Sequence, residues 1–316
     1  MPAPADPPPA ELPSRGVRRV AVASLVANIG IVLTGGAVRL TASGLGCPTF
    51  PRCTATSLVP TPAHGLHGII EFGNRLLTFA LVAVAVLAVV VIRRARPRRV
   101  DLSRLAWLLL AGIPAQALLG GITVLTKLNP WVVMGHFLCS MLLIGLATVL
   151  VHRSREPDGP ARPVAGPLLR GHAVAVVAVT VAVVYAGTVV TGTGPHAGDA
   201  VAPRTGLDLL EVTQLHVDLV WLLIGLSVGL LVLSHALHAP PQMVRAVRVV
   251  LAVEALQAVI GYTQYFTGLP IGLVDLHMLG ASLLVAAVVD ALLCTRTRLP
   301  LGAETGPAVA HVAATG

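Results

Sequence analysis

The stretch LLLAGIPAQALLGG, residues 108–121, returns as VVLAVEALQAVIGY at 249–262, and this recurrence decides the fold. At a shift of 141 residues Gln116 falls on Gln257, Ala117 on Ala258 and Gly120 on Gly261. The match runs on past the first segment: His136 falls on His277, and Leu138, Leu142 and Leu143 fall on Leu279, Leu283 and Leu284. A repeat of this length holds more than one element, so the fold must be read as copies of a unit before its elements are read singly.

Both copies are strongly apolar, and so is the rest of the chain. Of its 316 residues 55% are hydrophobic and 11% charged, with a mean hydropathy of +0.83, which excludes an ordinary soluble domain. Apolar runs long enough to cross a ~30 Å hydrocarbon core as helix lie at 20–40, 66–92, 104–125, 132–152, 172–191, 207–234, 247–267 and 272–294. The expected class is therefore all-α, a polytopic membrane protein with eight transmembrane helices. The Pro-rich start has no apolar core of its own, and the first run is too long for a removable signal peptide, so it is expected to stay as helix 1.

The repeat relates helices 3–4 to helices 7–8. The front halves match more loosely, with GAVRLTASG at 36–44 resembling GTVVTGTG at 187–194. An even number of helices per unit gives both copies the same orientation, with a pseudo-two-fold along the membrane normal. The expected organisation is a disordered tail at 1–19, a four-helix bundle at 20–152, a linker at 153–171, a second four-helix bundle at 172–295 and a tail at 296–316.

The net charge of +8 is a signal of topology, because the basic residues alternate from loop to loop. Arg15, Arg18, Arg19, the run RRARPRR at 93–99, Arg104, Arg153, Arg155, Arg162, Arg170, Arg245, Arg248, Arg296 and Arg298 lie on one side. Arg39, Arg52, Lys127 and Arg204 lie on the other. The positive-inside rule then predicts a cell-membrane protein with both termini cytoplasmic, and no nucleic-acid partner is called for. Cys47 and Cys53 fall in the first outer loop, where an oxidising compartment favours a disulfide over the weaker alternative of a zinc pair. Cys139 and Cys294 read as small buried hydrophobes.

Ionisable residues inside a bilayer are expensive, which makes each one a functional candidate. His136, His216 and His277 each lie about five to seven residues inside the outer end of helices 4, 6 and 8, or ~7–11 Å deep. Imidazoles at one depth on neighbouring helices suit the two axial positions of a haem iron. Within the second half His216 and His277 form such a pair. Aligning helix 2 with helix 6 at a shift of 142 places Asn74 on His216, whereas a shift of 140 pairs Glu71 with Glu211. By the first alignment one histidine is missing from the first half, and His136 alone faces its iron.

Glu71 lies about one turn above Asn74 and is the candidate catalytic residue, as a proton relay or a stabiliser of positive charge. Arg75 either pairs with Glu71 at i+4 or holds a haem propionate. His67 is ~10 Å above Asn74, too far for the same iron, and is expected to bond Glu71 or a propionate. His64, His152, His172, His196, His235, His238 and His311 are expected at solvated edges.

Taken together, GGAVRLTASGLGCPTFPRC at 35–53, IIEFGNRLL at 69–77, the single histidines 136, 216 and 277, and VVTGTGPHAGD at 189–199 resemble the haem A synthase family. The resemblance spans helices 1–8. It implies oxidation of a haem O methyl group to the formyl group of haem A, through an alcohol and a hydrated aldehyde. It implies a haem b cofactor on His216 and His277, and a haem O substrate in the first half at His136, Asn74 and Arg75. It also implies a Cys47–Cys53 disulfide, and as partners a haem O synthase, the haem-copper oxidase assembly pathway and an electron donor that the sequence leaves unknown. The family's helix-2 pattern is Glu-x-x-His-Arg, so Asn74 is a departure. The rival readings are a dihaem b-type electron-transfer protein of the quinol-oxidoreductase kind, which favours two complete histidine pairs, and a parallel-repeat transporter, which needs polar residues along the helix depth.

Overall fold

The structure is a computed structural model, and residues 12–299 of it are described. Eight long helices run α1 (Arg15–Leu40), α2 (Gly65–Arg94), α3 (Val100–Leu125), α4 (Pro130–Arg153), α5 (Pro167–Thr193), α6 (Leu209–Ala236), α7 (Pro241–Phe266) and α8 (Ile271–Leu293). The chain is an all-α polytopic membrane protein. All of these helices except α7, which carries Glu254, Gln257 and Gln264, are long and apolar enough to cross a bilayer. Their outward faces carry large apolar side chains such as Phe79 (71% exposed), Leu142 (63%) and Val259 (65%), a surface that suits lipid and not water.

Helix starts follow local chemistry. Ser14 Oγ accepts from Val17 N at 3.4 Å, so α1 begins at Arg15, five residues earlier than its apolar run suggested. Asn129 caps α4 and Asp208 caps α6 in the same way, and α4, α5 and α7 each open on a proline that has no N–H to orphan. The sharp turns from α3 to α4 and from α7 to α8 are copies of one another. Lys127 and Leu128 in one, Gly268 and Leu269 in the other, all have positive φ, and these are repeat mates at the same shift of 141.

Helices α1–α4 pack as one closed ring and α5–α8 as another, and the rings meet along α4·α8, α1·α8 and α4·α5. The last two contacts exchange under the repeat, so α4 and α8 flank the pseudo-two-fold. Val32, Met141, Ile144 and Val184 form the seam's buried core, and Phe137 and Met278, each next to a candidate histidine, pack against it. The segments at the ends of α1 and α5 join the halves as well: Gly44 N donates to Gly198 O at 2.8 Å and Arg39 Nη2 to Thr191 O at 2.7 Å.

At the other end, the linker and the segment after α8 pair as two short strands, β1 (Ala161–Pro163) and β2 (Arg296–Arg298), antiparallel with Arg162 opposite Thr297. The tail expected from residue 296 thus begins as structure, and its remainder from 300 lies outside the described residues, as do residues 1–11 and His311. Arg99 binds Asp101 through Nε and Nη2 and donates to Glu156 O at 2.8 Å, which ties α3 to the end of α4. Cys294 sits one residue past α8, where burial and the nearby Asp290 and Glu156 carboxylates push its thiol up to about 12.

Candidate functional site

The four candidate positions share one local design. A Cβ built on Gly120 of α3 would fall 3.4 Å from His136 Cε1, one on Gly261 of α7 would fall 3.4 Å from His277 Cε1, and one on Gly187 of α5 would fall 3.1 Å from His216 Cε1. On α1, the nearest atom to a Cβ at Gly35 is Asn74 Nδ2, at 4.0 Å. Each polar ring, and Asn74 in the fourth place, therefore lies against a glycine of the neighbouring helix. Small residues let membrane helices approach closely, and here they also clear the space in which an imidazole stands.

Backbone anchors repeat too. Gln116 Nε2 donates to His136 O at 3.1 Å, and its mate Gln257 Nε2 donates to His277 O at 3.0 Å. His216 is held by its ring instead, with Nδ1 3.1 Å from Val183 O. That bond makes Nδ1 the donor and turns Nε2 into a free lone pair, the tautomer a metal-ligating histidine needs. His216 and His277 lie within electrostatic range of one another.

Orphaned atoms mark both halves. His136 Nδ1, His277 Nδ1 and Asn74 Oδ1 are buried with no hydrogen-bond partner among the described residues. Leaving such a group unmet costs about 1–3 kcal/mol, and native structures rarely tolerate it without an occupant or a water. Histidines with uncommitted nitrogens, backed by glycines on two helices of one four-helix bundle, are of the kind that could hold a haem iron. The first half offers His136 on α4 and an amide, Asn74, at the glycine-backed position on α2.

Glu71 and Arg75 form the i,i+4 pair that the sequence offered as one of two alternatives, and both also bind the loop after α1. Cys47 N donates to Glu71 Oε2, and Arg75 Nη2 donates to Glu71 Oε1 at 2.5 Å. The same guanidinium donates to Cys47 O at 3.1 Å and Thr49 O at 3.0 Å, and stands 5.8 Å over the Phe50 ring. Of the two expectations for Arg75, the structure shows the pairing with Glu71 and puts the rest of its donors on loop carbonyls. Cys47 and Cys53 are disulfide-bonded, and the loop they close seats Phe50 against Gly121 of α3. Glu71 and Arg75 thus hold the disulfide loop against α2, with Phe50 packed on α3.

His67 does not reach Glu71: its Nδ1 lies 2.9 Å from Ser43 Oγ, which ties α2 to the end of α1. Nor are all the edge histidines solvated, since His172 Nε2 lies 2.8 Å from Leu226 O, His196 Nε2 3.0 Å from Leu269 O and His152 Nδ1 2.8 Å from Asp290 Oδ1. Residue-by-residue reading missed the ring-backing glycines, although Gly120 and Gly261 stood aligned in the repeat. It also missed Glu254, buried in α7, whose Oε1 accepts from Ser227 Oγ at 2.7 Å.

Comparison with known proteins places this geometry. A haem A synthase of Geobacillus kaustophilus is 30% identical over 123 residues, 38% of this chain and 37% of that protein. Haem A synthases of Lysinibacillus sphaericus and Symbiobacterium thermophilum are 32% and 31% identical, each over 57% of this chain and 59% and 60% of their own lengths. The matched segment thus spans from about a third to three fifths of these relatives. The model of the family described as cytochrome oxidase assembly protein (COX15-CtaA) matches residues 18–289. With all eight helices inside or overlapping that match, the chain belongs to the COX15-CtaA family of cytochrome oxidase assembly proteins.

Proposed function

We propose that this chain is a haem A synthase, a membrane oxidoreductase that converts a methyl group of haem O to a formyl group. The observation that carries the reading is the division between the halves: two glycine-backed histidines, His216 and His277, in the second bundle, against one, His136, with a glycine-backed Asn74 in the first. Relatives bearing the name haem A synthase support it.

In this reading the second bundle holds a haem b through His216 and His277. Such a group, when bound, supplies one-electron chemistry between the donor and the substrate side. Val183 O fixes the His216 tautomer, and Gln257 fixes the register of α8 at His277. In the first bundle His136 takes the iron of haem O from one face, while the shorter Asn74 leaves the other face less encumbered than a second imidazole would.

Glu71 works at the outer mouth of the first bundle. Through Cys47 N and Arg75 it keeps the disulfide loop closed over the site, which excludes bulk water and holds a carboxylate near the substrate pocket. Haem O reaches the site from the bilayer, the product serves haem-copper oxidase assembly, and both termini face the cytoplasm of the cell membrane.

The test is expression beside a haem O synthase in a host lacking haem A, followed by chromatography of extracted haems. Haem A absent from the empty-vector control supports the function; only haems B and O, with the protein present in the membrane, overturns it.

A further inference from the structure

At the inner ends of α4 and α8, beside the pseudo-two-fold, three side chains with metal-ligating atoms converge. His152 comes from the last turn of α4, Asp290 from the last turn of α8 and Cys294 from the residue after it. Their ligand atoms all lie within 4.8 Å of one another, and no other such grouping occurs among the described residues. His152 Nδ1 is 2.8 Å from Asp290 Oδ1, while Nε2 faces Glu156 Oε1 at 3.7 Å. The other Glu156 oxygen is already used, by Arg153 Nη1 at 2.8 Å and Arg298 Nε at 3.8 Å, so Oε1 is the one left to meet the ring.

Packing alone does not ask for these residues. At the repeat shift the mate of His152 is Leu293 and that of Asp290 is Val149, so the duplicated unit fills the same positions with aliphatic side chains. The cluster is particular to the junction, drawing one residue from the first bundle and two from the second. It also has an approach, because a cavity of about 300 Å³ lined by His152, Glu156 and Leu293 opens beside it. Of the four arginines that line it, Arg153 is paired with Asp101 and Glu156 and Arg298 with Glu156, while Arg104 and Arg296 also border it.

The geometry points to a binding site for a divalent cation of borderline softness, of the zinc class, ligated by His152 Nδ1, Asp290 and Cys294 at the inner end of the α4/α8 seam. Imidazole, carboxylate and thiolate are the donor types such an ion takes, at about 2.0–2.3 Å, with water from the cavity in the fourth position. Glu156 Oε1 lies 3.7 Å from Nε2, beyond hydrogen-bond reach, and a small shift of the ring on binding would bring it into the carboxylate–histidine–metal arrangement common around such ions. On binding, the Cys294 thiol gives its proton to solvent, and Asp290 with the thiolate balances the two positive charges. The ion fastens the bundles together at the end opposite the contacts between the ends of α1 and α5.

The experiment uses the full-length chain purified in detergent, stripped with a chelator and dialysed against zinc, with bound zinc counted by mass spectrometry and its shell read by X-ray absorption. The expected result is one tightly held zinc per chain with one sulfur neighbour at about 2.3 Å and the rest nitrogen or oxygen at about 2.0–2.1 Å. Cys294→Ser loses the sulfur neighbour, and either Cys294→Ser or His152→Gln weakens zinc at least about 10-fold. Cys139→Ser binds as the wild type, and circular dichroism shows equal helicity throughout. Zinc uptake by the Cys294→Ser/His152→Gln double variant equal to wild type, no uptake by wild type, or a shell without sulfur overturns the site.

Discussion

At the scale of the residue, the contrast between His216 and Asn74 organises the molecule. Each lies against a glycine of the preceding helix, but the clearances differ, 3.1 Å at Gly187 and 4.0 Å at Gly35. The first is tighter than ordinary contact, so Gly187→Ala pushes the His216 ring off Val183 O at a cost of about 1–3 kcal/mol. The expected outcome is reduced haem on purification in Gly187→Ala and unchanged haem in Gly35→Ala, read from the Soret absorbance per chain. Equal retention in both would show that the glycine does not set the ring. Glu71 is the other decisive residue. Glu71→Ala removes the acceptor of Cys47 N and one partner of Arg75, so it should keep the cofactor haem and lose haem A formation. Wild-type turnover in that variant would reduce Glu71 to a packing group.

At the scale of the element, the repeat was legible because it is written in apolar and glutamine positions that need no third dimension. Gln116 and Gln257 stood aligned, and the structure gives them the same bond to the same carbonyl. Gln257→Leu removes a second donor from a carbonyl that the α8 ladder already bonds, and the expected loss is about 0.5–1.5 kcal/mol of stability, measured as a lower midpoint in thermal unfolding followed by tryptophan fluorescence; an unchanged midpoint would contradict the role of the bond. What escaped the sequence is what joins distant segments. The sequence offers Glu71 a partner in Arg75 one turn on, and only the folded loop shows it also as the acceptor of Cys47 N beside the disulfide. His152 and Asp290 are 138 residues apart and match no motif, so nothing local marks them as neighbours. Strand β1 could not be read either, since three residues carry too little periodicity and their partner follows the last helix. The loop itself can be tested: Cys47→Ser should make the segment 45–59 the first site of proteolysis in intact protein under non-reducing conditions, and resistance equal to wild type would show that Glu71 and Arg75 suffice to hold it.

At the scale of the whole molecule, the proposed function gives two copies of one bundle different work. The shared parts are the ring of four helices, the glutamine anchor, the glycine-backed rings and the turns at Lys127–Leu128 and Gly268–Leu269. Differences that bear on the sites include Asn74 against His216, the disulfide loop after α1, and Glu254 buried with Ser227 in the second bundle. Helices α4 and α8, which carry His136 and His277, meet along one seam, with Phe137 and Met278 packed against its core. The central claim is this division of labour, and the most direct measurement is chromatography of the haem bound to purified His136→Ala and His277→Ala chains beside wild type. The account predicts that His136→Ala retains haem b at the wild-type level, while His277→Ala loses most of it. Loss of haem b from His136→Ala, or full retention in His277→Ala, would contradict it.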